Sequence, residues 1–266
     1  MPDRLTLIAV SALAYVVSVA LHENAGHAVA CVLLGSHPVE LGAFYVNCDD
    51  SRLSATAVRL VALAGPIVSL ATGAASFRAL RALDAARGPA WYFLWLLGSL
   101  GLMTATGYVM FSGISGIGDL GFDADSALHG ASPQWLVRVI LVVVGAASYF
   151  IAVRSAARAI DPHLTGIGQA RIAAARRMLL VSYLTGAVVY LAIGVLNPYG
   201  LVIVATSAVA SSMGGTSGLL WMRRLFERGR NVQSGGIQFT RSWRWIGAAL
   251  AMVLAYAAVL GPTVRP

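Results

Sequence analysis

The sequence predicts an all-α polytopic membrane protein with about seven transmembrane helices, and three observations carry that reading. Of its 266 residues, 58% are hydrophobic and only 11% are charged, whereas soluble domains carry about 25% charged residues. Apolar runs near the ~20 residues needed to cross a hydrocarbon core recur along the whole length, leaving no room for a large soluble domain. The arginines cluster in the short connections between those runs.

The runs are Leu5–Leu34, Ala57–Ala79, Ala90–Phe111, Gln134–Val153, Met178–Leu196, Leu201–Met222 and Trp243–Leu260. Segment 35–56 is long for a connector and has turn residues at both ends, so Val39–Val46 is expected to form a short hairpin or a re-entrant piece at the interface. Ser211–Gly218 (SSMGGTSG) places small residues inside a spanning run, where they permit close helix packing. The first run is the longest, and a polar interruption at His22–His27 marks it out.

A net charge of +8 would suit a nucleic-acid partner, but the charge distribution points to membrane topology instead. All nineteen basic residues other than histidine are Arg. With alternating crossings, 15 of them share the side of the N-terminus, and only Arg52, Arg59, Arg138 and Arg265 fall on the other. Positive charge is retained on the cytoplasmic side. The expected protein is therefore integral to a bacterial plasma membrane, with a cytoplasmic N-terminus and an external C-terminus. The first apolar run continues past signal-peptide length into His22 without a small-residue cleavage site, so no removable leader is expected. Cys31 and Cys48 are the only cysteines. They leave a single disulfide open but make no disulfide framework.

The hexapeptide His22-Glu23-Asn24-Ala25-Gly26-His27 lies within an apolar helix. Each ionisable residue carried into the bilayer costs about 2.5–3.5 kcal/mol on insertion scales. Interhelical hydrogen bonding would account for a lone histidine; a His-Glu pair with a second His points to a metal. The zinc-hydrolase helix motif is H-E-x-x-H, with both histidines one turn apart and the glutamate as general base. Here the spacing is one residue longer. In a regular α-helix, positions i and i+5 lie roughly 140° apart around the axis, too far for both imidazoles to reach one ion. A π-bulge absorbs one residue, and Gly26 is a natural place for it.

His22-Glu23 with Gly26-His27-Ala28, at the end of an apolar run, resembles the motif of the site-2 protease family of intramembrane zinc metalloproteases, which reads H-E-x-G-H-A. The longer spacing is similar to that of dipeptidyl peptidase III, a soluble enzyme whose zinc helix accommodates the same insertion. Ala64-Gly65-Pro66, at the start of the next span, resembles the A-G-P segment that follows the family's zinc helix. The resemblance covers about residues 10–125 and implies a metalloprotease-like core of three helices over 1–125, followed by a four-helix membrane region over 126–266. It also implies a third zinc ligand from an Asp in an L-D-G motif on a later core helix. The candidate is Asp119, in Gly118-Asp119-Leu120, although the family's longer pattern ahead of that Asp is missing. Asp123, Asp125 and His129 are its rivals, and His37 is a spare ligand near the interface. The orientation above puts this site toward the outside, whereas familiar members of the family hold theirs nearer the cytoplasm.

The expected function is thus zinc-dependent hydrolysis of peptide bonds in a membrane-embedded or membrane-proximal substrate. His22, His27 and Asp119 are the expected ligands, Glu23 the base, and Asn24 a donor to the oxyanion. The alternative is a catalytically inactive, protease-like subunit whose polar site serves assembly of a larger membrane complex. A proton relay finds few other intramembrane charges to complete a path. Gly116–Asp119 also spells the G-x-G-D of intramembrane aspartyl proteases, but no second Asp falls within a span to share a proton.

Overall fold

The computed structural model describes residues 2–83, 88–204, 207, 209–210, 214–226 and 236–266. Its frame is a helical bundle. The first crossing runs over Arg4–Leu33 in three parts: α1 (Arg4–Ala20), a π-helical stretch (Leu21–Ala28) and α2 (Val29–Leu33). Asp3 caps α1, its side chain accepting from the Thr6 N–H at 3.0 Å. The short strands β1 (Pro38–Leu41) and β2 (Val46–Cys48) then pair antiparallel, which is the hairpin the turn residues predict. α3 (Ala55–Leu80), α4 (Pro89–Ser115), α5 (Gln134–Ile160), α6 (Gly168–Gly194) and α9 (Trp243–Leu260) complete the long helices. Between α6 and α9 lie the short helices α7 (Leu201–Ile203) and α8 (Gly218–Trp221), the latter continuing into a 3-10 turn at Met222–Leu225.

Six helices are long and apolar enough to cross a membrane among the described residues. The seventh expected span, Leu201–Met222, is not a single helix there. Part of it, including 211–213 of the small-residue stretch, lies outside the described residues, and 215–217 form a turn. That turn is held by Tyr149, whose hydroxyl donates to Gly215 O at 2.8 Å and accepts from Gly218 N–H at 2.9 Å. Non-helical backbone survives at membrane depth only where protein groups satisfy it, and Tyr149 supplies them here.

The described residues on either side of residues 201–225 contact different ends of the bundle. Tyr199 donates to Glu40 Oε2 at 3.1 Å, at the hairpin end. Ile237 N–H donates to His163 O at 2.8 Å, at the opposite end beside the start of α6. The termini also lie at opposite ends: Asp3 N–H donates to Phe239 O, whereas Leu41 bridges Val264.

The expected runs Gln134–Val153 and Met178–Leu196 are parts of longer helices, because α5 continues to Ile160 and α6 begins at Gly168. Hydropathy registers only the apolar part of a helix, and the arginine-bearing ends extend beyond it. Arg171 is buried against Asp161, with Nη2 to Oδ1 at 2.6 Å. Residues of both halves of the chain share one buried cluster, which contains Tyr15, Trp91 and Trp95 from the first and Tyr149, Tyr183 and Tyr190 from the second. Polar atoms in this core are paired. Tyr15 donates to Thr216 Oγ1 at 2.9 Å, Tyr190 to Tyr15 O at 2.8 Å, and Trp95 Nε1 to Ala156 O at 3.0 Å.

Candidate functional site

The polar interruption of the first crossing is the π-helical stretch itself. Its winding persists through Ala28, and Val29 N–H reaches Asn24 O, five residues back. The extra residue between the two histidines is thereby absorbed, as the spacing requires. His22 and His27 now project to the same side, with Nε2 atoms 3.3 Å apart.

Glycines let this stretch sit against α3. A Cβ on Gly26 would lie 2.7 Å from the Gly65 Cα, and a Cβ on Gly65 would lie 2.7 Å from His22 Nε2 and closer still to His27 Nε2. Only hydrogen at both positions permits this crossing. Pro66 lies inside α3, and lacking an N–H it cannot complete the helical bond to Ala62 O. In that turn Val61 O accepts from His27 Nδ1 at 2.8 Å, and three residues beyond Pro66 the Ser69 hydroxyl meets His22 Nδ1 at 2.9 Å. Both outer ring nitrogens are thus engaged by α3, and both Nε2 atoms are turned inward.

Asp119 completes the cluster from the loop after α4. Gly116 and Gly118 adopt φ of 83° and 87°, a left-handed region that glycine enters at little cost. The resulting turns, with Phe122 N–H to Gly116 O at 3.0 Å and Ala127 N–H to Asp119 O at 2.9 Å, fold the loop back over the histidines. Asp119 Oδ2 lies 3.2 Å from His22 Nε2 and Oδ1 lies 3.5 Å from His27 Nε2. Oδ2 is buried without a hydrogen bond of good geometry, the mark of an acceptor set for another partner.

Two imidazole nitrogens and a carboxylate oxygen, all within 4.8 Å of one another, match the three-protein-ligand donor set of a catalytic zinc site. The fixed outer nitrogens match the outer-shell hydrogen bonds that orient metal-binding histidines. The residues therefore fit a metal ion.

Glu23 is 4% exposed, adjacent to this cluster, and no hydrogen bond or ion pair reaches its carboxylate among the described residues. It lines a cavity of about 400 Å³ together with His27, Asp119, Tyr108 and the hairpin residues Phe44 and Asn47. Asp50, Asp123 and Asp125 line the same cavity. Burial, followed by the charges of Asp125 and Asp49, raises the Asp50 carboxyl above its ordinary value.

The rivals to Asp119 fall outside the cluster. Asp123 and Asp125 are exposed, His129 is exposed with its Nδ1 3.1 Å from Phe122 O, and His37 is exposed at the start of the hairpin. Asn24 is not among the residues lining the cavity. Tyr108 is, and its ring stacks on His22 at 5.0 Å and 18°. Neither Tyr108 nor Ser69 stands out in the sequence, since a single tyrosine or serine in an apolar helix carries no signal of its partner. Cys31 and Cys48 form a disulfide that ties the end of the first crossing to β2, beside the cavity.

Fold and site together define an all-α polytopic membrane protein with a buried His-His-Asp cluster at one end of its bundle. In comparisons with known protein families, characterised proteins and solved structures, the chain matches none.

Proposed function

We propose that the chain is an intramembrane zinc-dependent peptidase acting on membrane-embedded or membrane-proximal peptide bonds. One observation carries this reading: the Nε2 atoms of His22 and His27 and the Asp119 carboxylate form one cluster, and its members His27 and Asp119 line a cavity together with Glu23, whose carboxylate has no hydrogen-bond partner among the described residues.

His22, His27 and Asp119 would hold the zinc, which when bound supplies the Lewis acidity that activates water and polarises a carbonyl. Glu23 takes the proton from the attacking water and delivers it to the leaving amine, as a general base and then a general acid. Ser69 and the Val61 carbonyl hold the two imidazoles in the required orientation. The bundle restricts water to the cavity, and a substrate helix unwinds there to expose its amide, because helical backbone is hydrogen-bonded internally.

The same reading places the N-terminus in the cytoplasm of a bacterial cell and the site on the external side of its plasma membrane. Two independent features support this. The arginine-rich connections lie at the end opposite the cavity. The Cys31–Cys48 disulfide lies at the cavity end, and disulfides persist in oxidising compartments.

The test is hydrolysis of a fluorogenic transmembrane peptide by purified protein in detergent, with and without a chelator. Activity lost on chelation and restored by zinc is expected. Folded protein without zinc and without activity would leave the cluster as a polar element for assembly in a membrane complex.

A further inference from the structure

The end of the bundle opposite the His-His-Asp cluster holds a second cavity of about 400 Å³, formed chiefly by α1, α6 and the segment 163–165. Arg4, Arg177, Arg171 and His163 line it, and no Asp or Glu does among the described residues. The Arg171 charge is offset by Asp161, so the uncompensated charge comes from Arg4 and Arg177, both of which are exposed.

The arrangement of apolar groups beneath those arginines gives the ligand its shape. On α1, Leu7 follows Arg4 by three residues; on α6, Val181 follows Arg177 by four and Met178 adjoins it. Residues three or four apart share a helix face. Both helices start at this end and run inward, so each carries a guanidinium one turn above an apolar side chain, and Leu7, Met178 and Val181 all line the cavity. α6 spans 27 residues, or about 40 Å at 1.5 Å per residue, against a hydrocarbon core of about 30 Å. α6 carries no charged residue after Arg177, so Arg177 marks the headgroup boundary of the span.

A free anion would use only the two guanidinium groups and leave the apolar floor empty. A phospholipid uses both levels. Basic pockets between transmembrane helices on the cytoplasmic side suit anionic headgroups. We propose that this cavity binds one anionic phospholipid, its phosphate held by Arg4 and Arg177 and an acyl chain lying on Leu7, Met178 and Val181. This site rests on the cytoplasmic placement of the N-terminal end proposed above and does not depend on the peptidase chemistry.

The experiment measures binding of phosphatidylglycerol and phosphatidylcholine to the purified full chain in neutral detergent by native mass spectrometry, with inorganic phosphate as competitor. Wild type should retain one phosphatidylglycerol in preference to phosphatidylcholine. Arg4→Gln combined with Arg177→Gln should weaken it about 30-fold, the effect of removing two arginines from a membrane surface. Arg154→Gln combined with Arg158→Gln removes two exposed arginines from the same end but outside the cavity, and should leave binding unchanged. Val181→Trp should displace the lipid with every arginine in place. Equal loss in both arginine pairs would make the effect one of general surface charge and overturn the site. Displacement by millimolar phosphate would put a free anion there and overturn the lipid. Melting curves on each variant identify any that fail to fold, and either the arginine pair or Val181→Trp suffices to decide.

Discussion

The Nε2 atoms of His22 and His27 lie 3.3 Å apart although five residues separate them in the chain, and the π winding between Leu21 and Ala28 is what brings them together. Deleting Ala25 restores H-E-x-x-H spacing and removes the reason for that winding. Such a deletion should return the stretch to regular α geometry and shift Gly26 and His27 relative to Gly65. Solid-state NMR of labelled His22 and His27 should then report altered ring contacts with Ser69 and Val61.

Gly65→Ala tests the glycine contact from the other side. Its new Cβ would lie 2.7 Å from His22 Nε2, with His27 Nε2 nearer still, so the rings must part. Zinc affinity should fall at least as far as for loss of an outer-shell partner, about 10–100-fold. Gly247→Ala in α9 meets nothing within 4 Å. It should leave zinc unchanged and be neutral or stabilising by up to about 1 kcal/mol, from helix propensity.

Ser69→Ala removes the hydrogen-bond partner of His22 Nδ1 without touching the proposed ligand atoms. Zinc affinity, measured by competition with a chelating dye, should drop about 10–100-fold, while the protein stays folded. An unchanged affinity would mean that the Ser69 contact does not orient the ring.

Sidedness is tested through the disulfide. In intact cells, a membrane-impermeant maleimide should label Cys31 and Cys48 only after treatment with an impermeant reductant. Labelling that needs cell lysis would reverse the orientation. A reporter fused at Gly166, in the connection between α5 and α6, should read cytoplasmic.

The hairpin and the C-terminus are joined by an ion pair. Arg265 Nη2 lies 2.9 Å from Glu40 Oε1, and the Arg265 hydrogen bond holds the Glu40 carboxyl below its ordinary value of 4.5. A depressed carboxyl contributes fully above 4.5, and that contribution is lost as pH falls through the depressed value. A spin label at residue 266 should therefore be ordered at neutral pH and become mobile only in acid below 4.5. With Arg265→Gln it should be mobile throughout.

Much of this was legible in the sequence because apolar runs and arginine positions obey the bilayer directly. Trp243–Leu260 has the bounds the hydropathy gives it, and the motif spacing forces a departure from α geometry at His22–His27. Other features depend on contacts that no local pattern encodes. The start of α6 at Gly168 was hidden by its arginines, one of which, Arg171, is buried only because Asp161 meets it. The expected run Leu201–Met222 is not one helix, since a turn at 215–217 is satisfied by Tyr149, far away in sequence. Asp119 was readable as a candidate, but its advantage over Asp123 and Asp125 lies in the turns at Gly116 and Gly118 that carry it inward. Ser69 and Tyr108 had no readable signal, since their roles come from the helix crossing.

The central proposal is that Glu23 acts as the base beside a zinc held by His22, His27 and Asp119, and the most direct measurement is zinc content alongside hydrolysis in four proteins. Wild type and Glu23→Gln should each carry one zinc per chain, with only wild type cleaving a transmembrane peptide. His27→Ala and Asp119→Ala should lose both metal and cleavage. Zinc lost equally in Glu23→Gln would make Glu23 a ligand, and cleavage retained in that variant would remove it as the base; either result contradicts the account.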